Sequence, residues 1–336
     1  MARRRWERMS DEELLDVRLC DLGLKIEGTA LERHVAQLHD ELDRRGFRFR
    51  PHFWLSDEWF APTDVPGIAL PFYLAHPRLS RLEKKMMLEV EGGTAKQCMK
   101  LLRHECGHTL QFAYGLHRRR RWQQLFGRSS QPYPDAYRPR PYSRSYVLHI
   151  DNNYAQAHPD EDFAETFAVW LTPHSSWRKR YATWPALRKL EYVDELMHEI
   201  SDQRPKLRSR GRVHALRDIT MSLREHYRAR QSRYALDEPD VYVRDLRRLF
   251  AAETGPAAAT FLRRHRKEVL SSVSRWTGQY KYTINEVYGE MIDRCREHGL
   301  RVDAEADEGQ LVRETAVLLA VQTMNQLNAG GHWIKL

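Results

Sequence analysis

The stretch "LLRHECGHTLQFAYGLH", residues 101–117, sets His104 and His108 four residues apart, with Glu105 directly after the first. On an α-helix, residues i and i+4 stand one above the other on one face, so the two imidazoles address one point. Glu105 lies about 100° further round the helix, near that point without being needed as a ligand. Zinc suits such a pair, because it accepts neutral imidazole and tolerates an open fourth position. The chain holds 16 histidines, so the pentad alone can also arise by chance on a surface helix. Its surroundings speak for a site. "TLQFAYGL" carries no charge, and Leu102, Cys106 and Leu110 recur every four residues as a core face. A His and a Glu on a largely buried helix need partners. Cys106 falls in the apolar row and reads as a packed thiol, not a ligand.

The limits of that helix are written around it. Thr94 followed by Gln97 has the form of a capping box, and Gly115 suits a C-terminal cap, which predicts a helix over 94–116. A third ligand must come from elsewhere. The metzincin pattern wants a His ten residues after the first and a Gly at seven, and Tyr114 and Gln111 stand there instead. The gluzincin pattern wants a Glu on a later helix with a second carboxylate one turn on. "HPDEDFAETFAVWL", with a helix expected over 160–171, supplies Glu161 and Glu165 on one face and Phe163, Phe167 and Trp170 roughly opposite. No charge occurs from Thr166 to Leu171, so the helix should be buried. The reading gives Glu161 to the metal and lets Glu165 accept the distal N–H of a ligand imidazole. The reverse order stays open, since the two carboxylates share a face.

The rest of the chain bounds the answer. At 336 residues, 41% hydrophobic and 30% charged, it is globular and long enough for one elaborate domain or two ordinary ones. No apolar run approaches the ~18 residues of a membrane span, and the basic start "MARRRW" is not followed by the apolar segment of a secretory signal. Cys20, Cys98, Cys106 and Cys295 are widely spaced with no CxxC pair, which argues against a disulfide framework and for a reducing cytoplasm. The net charge of +9 and the run "HRRRRW" at 117–122 could neutralise phosphates, but no nucleic-acid module accompanies them and such runs are usually solvated faces. Strand-like pieces near 47–54 and 68–75 precede the first metal helix. A Pro/Tyr/Arg-rich loop over 127–146, too long for a mere connector, lies between the two ligand helices. From residue 175 the composition turns to Arg-rich helical patterns. The expected fold is α+β: a zincin-like catalytic region over 1–174 and a mostly helical region over 175–336.

"RLCDLGLKIEGT", "PHFWLSDEWF", "PGIALPFYLAHPRL", "LLRHECGHTLQFAY" and "HPDEDFAETFAVWLTP" together resemble the bacterial zinc-binding metallopeptidases, over residues of about 10 to 175. More distantly the arrangement looks like gluzincins of the lethal-factor toxin type, in which a Tyr seven residues before the ligand Glu assists the oxyanion; that position is Tyr154 here. His158 and His149 compete with it for polarising a carbonyl. The resemblance also implies that "IALPFYLA" is an edge strand pairing with an extended peptide. The expected protein is a zinc hydrolase of peptides or proteins, with Zn²⁺ on His104, His108 and Glu161 and with Glu105 as general base. Two rivals stand beside it. One is an amidohydrolase of a non-protein or conjugate amide. The other is a nucleic-acid-associated binding protein with a structural zinc, which would want a fourth protein ligand.

Overall fold

A computed structural model of the protein describes residues 5–134, 136–137, 139–140, 142–234, 243–250, 252–329 and 334–335. The chain is mostly helical, with a small parallel sheet. The helices are α1 (Asp11–Leu15), α2 (Ala30–Arg44), α3 (Pro77–Met87), α4 (Ala95–Tyr114), α5 (Arg120–Phe126), α6 (Pro159–Leu171), α7 (Trp177–Arg180), α8 (Leu187–Ile200), α9 (Leu223–Tyr234), α10 (Val243–Leu249), α11 (Ala258–Thr277), α12 (Lys281–Glu297) and α13 (Glu308–Ala329). Strands β1 (His52–Ser56) and β2 (Gly67–Pro71) pair in parallel, with Trp54 beside Ala69. Among the described residues, no helix is long and apolar enough to cross a membrane.

Contacts divide the chain into two units, Met1–Arg228 and Ala229–Lys335. In the second, α11 packs against α12 and α13 around buried Leu262, Val269, Tyr288 and Met291, and the Tyr288 hydroxyl donates to Leu262 O at 2.9 Å. The first unit contains both expected metal helices.

The core of the first unit is arranged to hold α4. In α2, Leu31, Leu38 and Leu42 are buried while Val35 is half-buried, and Glu41 on the same helix receives both forks of Arg103 at 2.7 Å. Such a bidentate, largely buried pair fixes α4 about its own axis one residue before His104. Leu102, Cys106 and Leu110 are all fully buried. Thr94 caps α4 by accepting from Gln97 N (3.2 Å), but the Gln97 side chain meets the Thr94 hydroxyl (3.0 Å) instead of the cap's own N–H, so half of the capping box forms. Gly115 ends the helix in the left-handed conformation, φ 64°. On α6, every residue from Asp160 to Leu171 is buried, as expected of a helix without charge in its second half.

The sheet differs from expectation in its bounds and at its edge: β1 begins only at His52, where a strand near 47–54 was expected. β2 stops at Pro71 and residues Phe72–Ala75 turn into a 3-10 helix, because Pro71 has no N–H to continue the ladder. The side of β2 away from β1 is also covered, since Ala69 N–H donates to Phe60 O at 2.9 Å and the strand is buried throughout. β2 is therefore not an open edge for a peptide. The segment 59–63, lying over that side, takes its place as a cleft wall.

Candidate metal centre

α4 and α6 approach so closely at Gly107 that a Cβ there would lie 2.8 Å from Ala164 Cα. That missing side chain lets residues on the two helices converge. His104 Nε2 and His108 Nε2 lie 3.1 Å apart, and Glu161 Oε2 lies 3.0 Å from the first and 3.1 Å from the second. His104 and Glu161 are 3% and 4% exposed, so the cluster is shut off from bulk water except on the side of Glu105 and His108, each at 7%.

These three atoms fit a cation. His104 Nδ1 faces Glu165 Oε1 at 2.9 Å. A carboxylate only accepts, so this nitrogen carries the proton and Nε2 of a neutral ring offers a lone pair. Two imidazole nitrogens and a carboxylate oxygen then crowd together with too few protons to satisfy them, in a site where burial makes that costly. Tetrahedral zinc with bonds of about 2.0–2.1 Å separates its ligand atoms by roughly 3.3 Å; the triangle is a few tenths tighter. His104, His108 and Glu161 could thus hold a metal. Burial pulls the His104 imidazole toward the neutral form, but the Glu161 and Glu165 carboxylates outweigh it and hold its pKa well above the usual range. His108 is raised in the same way by Glu161. Burial likewise pushes Glu161 up, and the two imidazoles more than reverse this, holding its pKa below the usual range. A field that draws protons here draws cations as well.

Around the triangle stands a frame of hydrogen bonds. Glu165 is fully buried and spends its second oxygen on Ile150 N–H at 2.7 Å, which ties the ring of His104 to the chain entering residues 151–156. Gln111, in the place where a metzincin would have glycine, donates to Asp160 Oδ1 at 2.5 Å and fastens α4 to the start of α6. Two residues further, Lys189 of α8 bridges Asp162 (2.5 Å) and Ser145 O (2.8 Å).

Glu105 is buried, and burial raises its carboxyl pKa, with His104 and His108 only partly offsetting the effect. It lines a cleft of about 810 Å³ together with His104, His108, Glu161 and Tyr154. Tyr154 follows two consecutive asparagines in the left-handed region, Asn152 (φ 62°) and Asn153 (φ 55°), a conformation that Asn tolerates better than most residues. This kink, held by the Tyr137 hydroxyl on Asn152 O at 2.9 Å, brings the Tyr154 ring to 5.6 Å from that of His104. His158 and His149 are engaged elsewhere. His158 caps α6 through Nδ1 (Asp160 N, 3.2 Å) and uses Nε2 on Gln131 O at 3.0 Å. His149 is bound to Lys100 O at 2.9 Å. Neither lines the cleft.

Tyr133 is the site residue that sequence reasoning did not single out. Its hydroxyl donates to Glu161 Oε1 at 2.9 Å, and its ring stacks on His158 with centroids 3.8 Å apart. It comes from the Pro/Tyr/Arg-rich loop, which therefore borders the cleft as its position between the ligand helices suggested. Nothing in a stretch with several tyrosines marks this one. All four cysteines are free, and burial pushes the Cys98 thiol up to about 12 and Cys106 higher still, so neither is a thiolate ligand.

Residues 95–183 match the family model described as "Putative zinc-binding metallo-peptidase". The matched span opens with α4 and runs past the end of α6, so it contains the whole triangle together with Glu105, Tyr133, Tyr154 and Glu165. No curated protein and no solved structure matches the chain.

Proposed function

We propose that the chain is a zinc-dependent peptidase whose metal is held by His104, His108 and Glu161. The observation that carries this reading is the buried triangle of three donor atoms beside Glu105, lining a cleft of about 810 Å³. Zinc in such a three-ligand setting acts as a Lewis acid and lowers the pKa of water toward neutrality. Glu105 takes the proton of the attacking water and hands it to the leaving nitrogen, for which a carboxyl raised by burial is well matched. Glu165 orients His104 through its Nδ1–H. Tyr154, whose ring lies 5.6 Å from that of His104, would donate its phenol to the developing oxyanion, and Tyr133 engages Glu161 Oε1, which leaves Oε2 for a metal.

A structural zinc is disfavoured because, among the described residues, the donor cluster holds three groups and not four, and it opens on a cleft. The substrate is a peptide or protein; the free thiols suit a cytoplasmic setting. Two measurements on the purified chain test the reading. It should carry about one zinc per chain, lost in His104→Ala and in His108→Ala. Glu105→Gln should keep zinc while hydrolysis of a peptide pool falls at least about a hundredfold. Normal turnover by Glu105→Gln would remove Glu105 as the base.

A further inference from the structure

At some distance from the metal corner, the cleft is lined by residues of different chemistry: Gly115, His117, Arg118, Lys206 and Leu207. The segment at 206–207 is fastened to the end of α4, because both its N–H groups donate to Ala113 O, at 2.8 and 3.2 Å. Gly115, with φ 64°, marks the place where the Arg118 and Lys206 side chains come near one another. A methyl group there would lie 3.5 Å from the Lys206 ammonium and 3.9 Å from Arg118 Cδ.

Among the described residues neither cation has an ion pair or a side-chain hydrogen bond. Arg119 and Arg121 of the same basic run are, by contrast, paired with Glu199 and Glu195. Of the carboxylates lining the cleft, Asp160 meets the Gln111 amide, Glu161 meets the imidazoles, and Glu105 stands next to His104 in the middle of α4, whereas Gly115 caps its end. Two unpaired cations that converge on a cleft wall await an anion from outside.

The distance to the metal corner says where on a substrate that anion sits. His108 and Gly115 are seven residues apart on one helix and its cap, which is about 10 Å at ~1.5 Å per residue. An extended peptide advances ~3.3 Å per residue, so the interval corresponds to about three residues. Phe112 lies between, stacked on His108 (6.5 Å, 11°) and edge-on to His117 (5.5 Å, 63°), an aromatic floor for the intervening chain.

We propose that Arg118 and Lys206 form a carboxylate-binding subsite, selecting peptides with an acidic side chain or a free C-terminal carboxylate about three residues from the bond to be cut. The substrate class rests on the peptidase reading; the anion selectivity rests on the geometry alone. A competing role for the two cations is to offset the negative end of the α4 dipole, which gives no preference among peptides.

Binding to the zinc-loaded Glu105→Gln chain tests this without turnover. The probes are peptides of otherwise uncharged sequence, labelled with an uncharged fluorophore, with Glu, Gln or Lys three residues to either side of the central bond, each with a free or an amidated C-terminus. One exposed ion pair contributes little, but two cations making charge-assisted bonds to one carboxylate should favour Glu over Gln about tenfold. The ratio should fall as salt rises and approach one when Arg118→Gln and Lys206→Gln are added together. Lys206→Glu should turn the preference toward the Lys peptide. A gain confined to the free C-terminus identifies the terminal carboxylate as the ligand, and a gain confined to Glu identifies the side chain. Equal binding of all probes overturns the inference. Cleavage of the probes by the parent chain is scored separately: cleavage without carboxylate preference sinks the subsite alone, and carboxylate-selective binding without any cleavage sinks the peptidase reading alone.

Discussion

Gly107, between the two metal-helix histidines, offers the most direct test of how the site is assembled. A Cβ at this position would fall 2.8 Å from Ala164 Cα, 3.2 Å from Ala164 O and 3.2 Å from Phe167 Cδ1. All three atoms belong to α6, and two are backbone atoms that cannot rotate away. Ordinary contact begins near 3.4 Å, so Gly107→Ala must move α6 off α4 by about 0.6 Å, the difference between 3.4 and 2.8. Overpacking of this kind costs about 1–3 kcal/mol, and the better helix propensity of Ala returns about 1 kcal/mol. The net loss of stability is thus between about zero and 2 kcal/mol. Metal binding is the sharper readout. Coordination distances tolerate about 0.2 Å, and the ligands come from both helices, so the shift exceeds the tolerance about threefold. Zinc affinity should drop at least about tenfold, measured by competition with a chromophoric chelator alongside thermal melting with and without zinc. Gly289 in α12 has nothing within 4 Å of its missing Cβ, and Gly289→Ala should raise stability by up to about 1 kcal/mol at unchanged zinc affinity. If Gly107→Ala binds zinc as tightly as the parent, the spacing of the two helices does not set the site, and the argument fails.

The two glutamates of α6 should fail differently: Glu161→Gln should lose zinc almost completely, whereas Glu165→Gln should weaken metal affinity or activity about ten- to a hundredfold. Metal titration of both decides, and the opposite order would exchange their roles. Tyr154→Phe should lower kcat at unchanged zinc content, as loss of a transition-state donor does, while Tyr133→Phe should act first on zinc affinity because its hydroxyl touches Glu161; identical behaviour of the two would contradict this division. Burial raises the Asp162 carboxyl from 3.8 to about 7, despite the opposing pull of Lys189. A raised folded-state pKa means the native state holds the proton longer than the unfolded chain does, so this group's contribution is full below about pH 4 and is lost as pH rises toward 7. Asp162→Asn combined with Lys189→Met should flatten that fall in zinc-free denaturation curves taken from pH 4 to 7, and an unaltered slope would show that Asp162 does not drive it.

Much of the His104–His108–Glu161 cluster was legible in the sequence because it depends on helical periodicity. His104 and His108 are separated by one turn of a single helix, and so are Glu161 and Glu165. The absence of charge from Thr109 to Leu116 and from Thr166 to Leu171 announced that both helices would be buried. Local chemistry also fixed the ends: Thr94 and Gly115 close α4 where they were expected. The two strand-like segments pair in part, over His52–Ser56 and Gly67–Pro71, but these bounds, the parallel register and the covering of β2 by Phe60 depend on contacts that no local pattern encodes. What joins α4 to α6 was not legible either. Gly107 looks like any small residue until Ala164 is brought against it. Tyr133 becomes a site residue only when its loop folds back over Glu161, and His149 and His158 leave the list of carbonyl donors only because their nitrogens meet Lys100 O, Gln131 O and Asp160 N in the fold. Arg118 and Lys206, 88 residues apart, converge because one chain segment docks on the C-terminal carbonyls of a helix formed by another. Periodicity within a helix determines which side chains share a face; which faces then meet is decided by packing between segments distant in the chain.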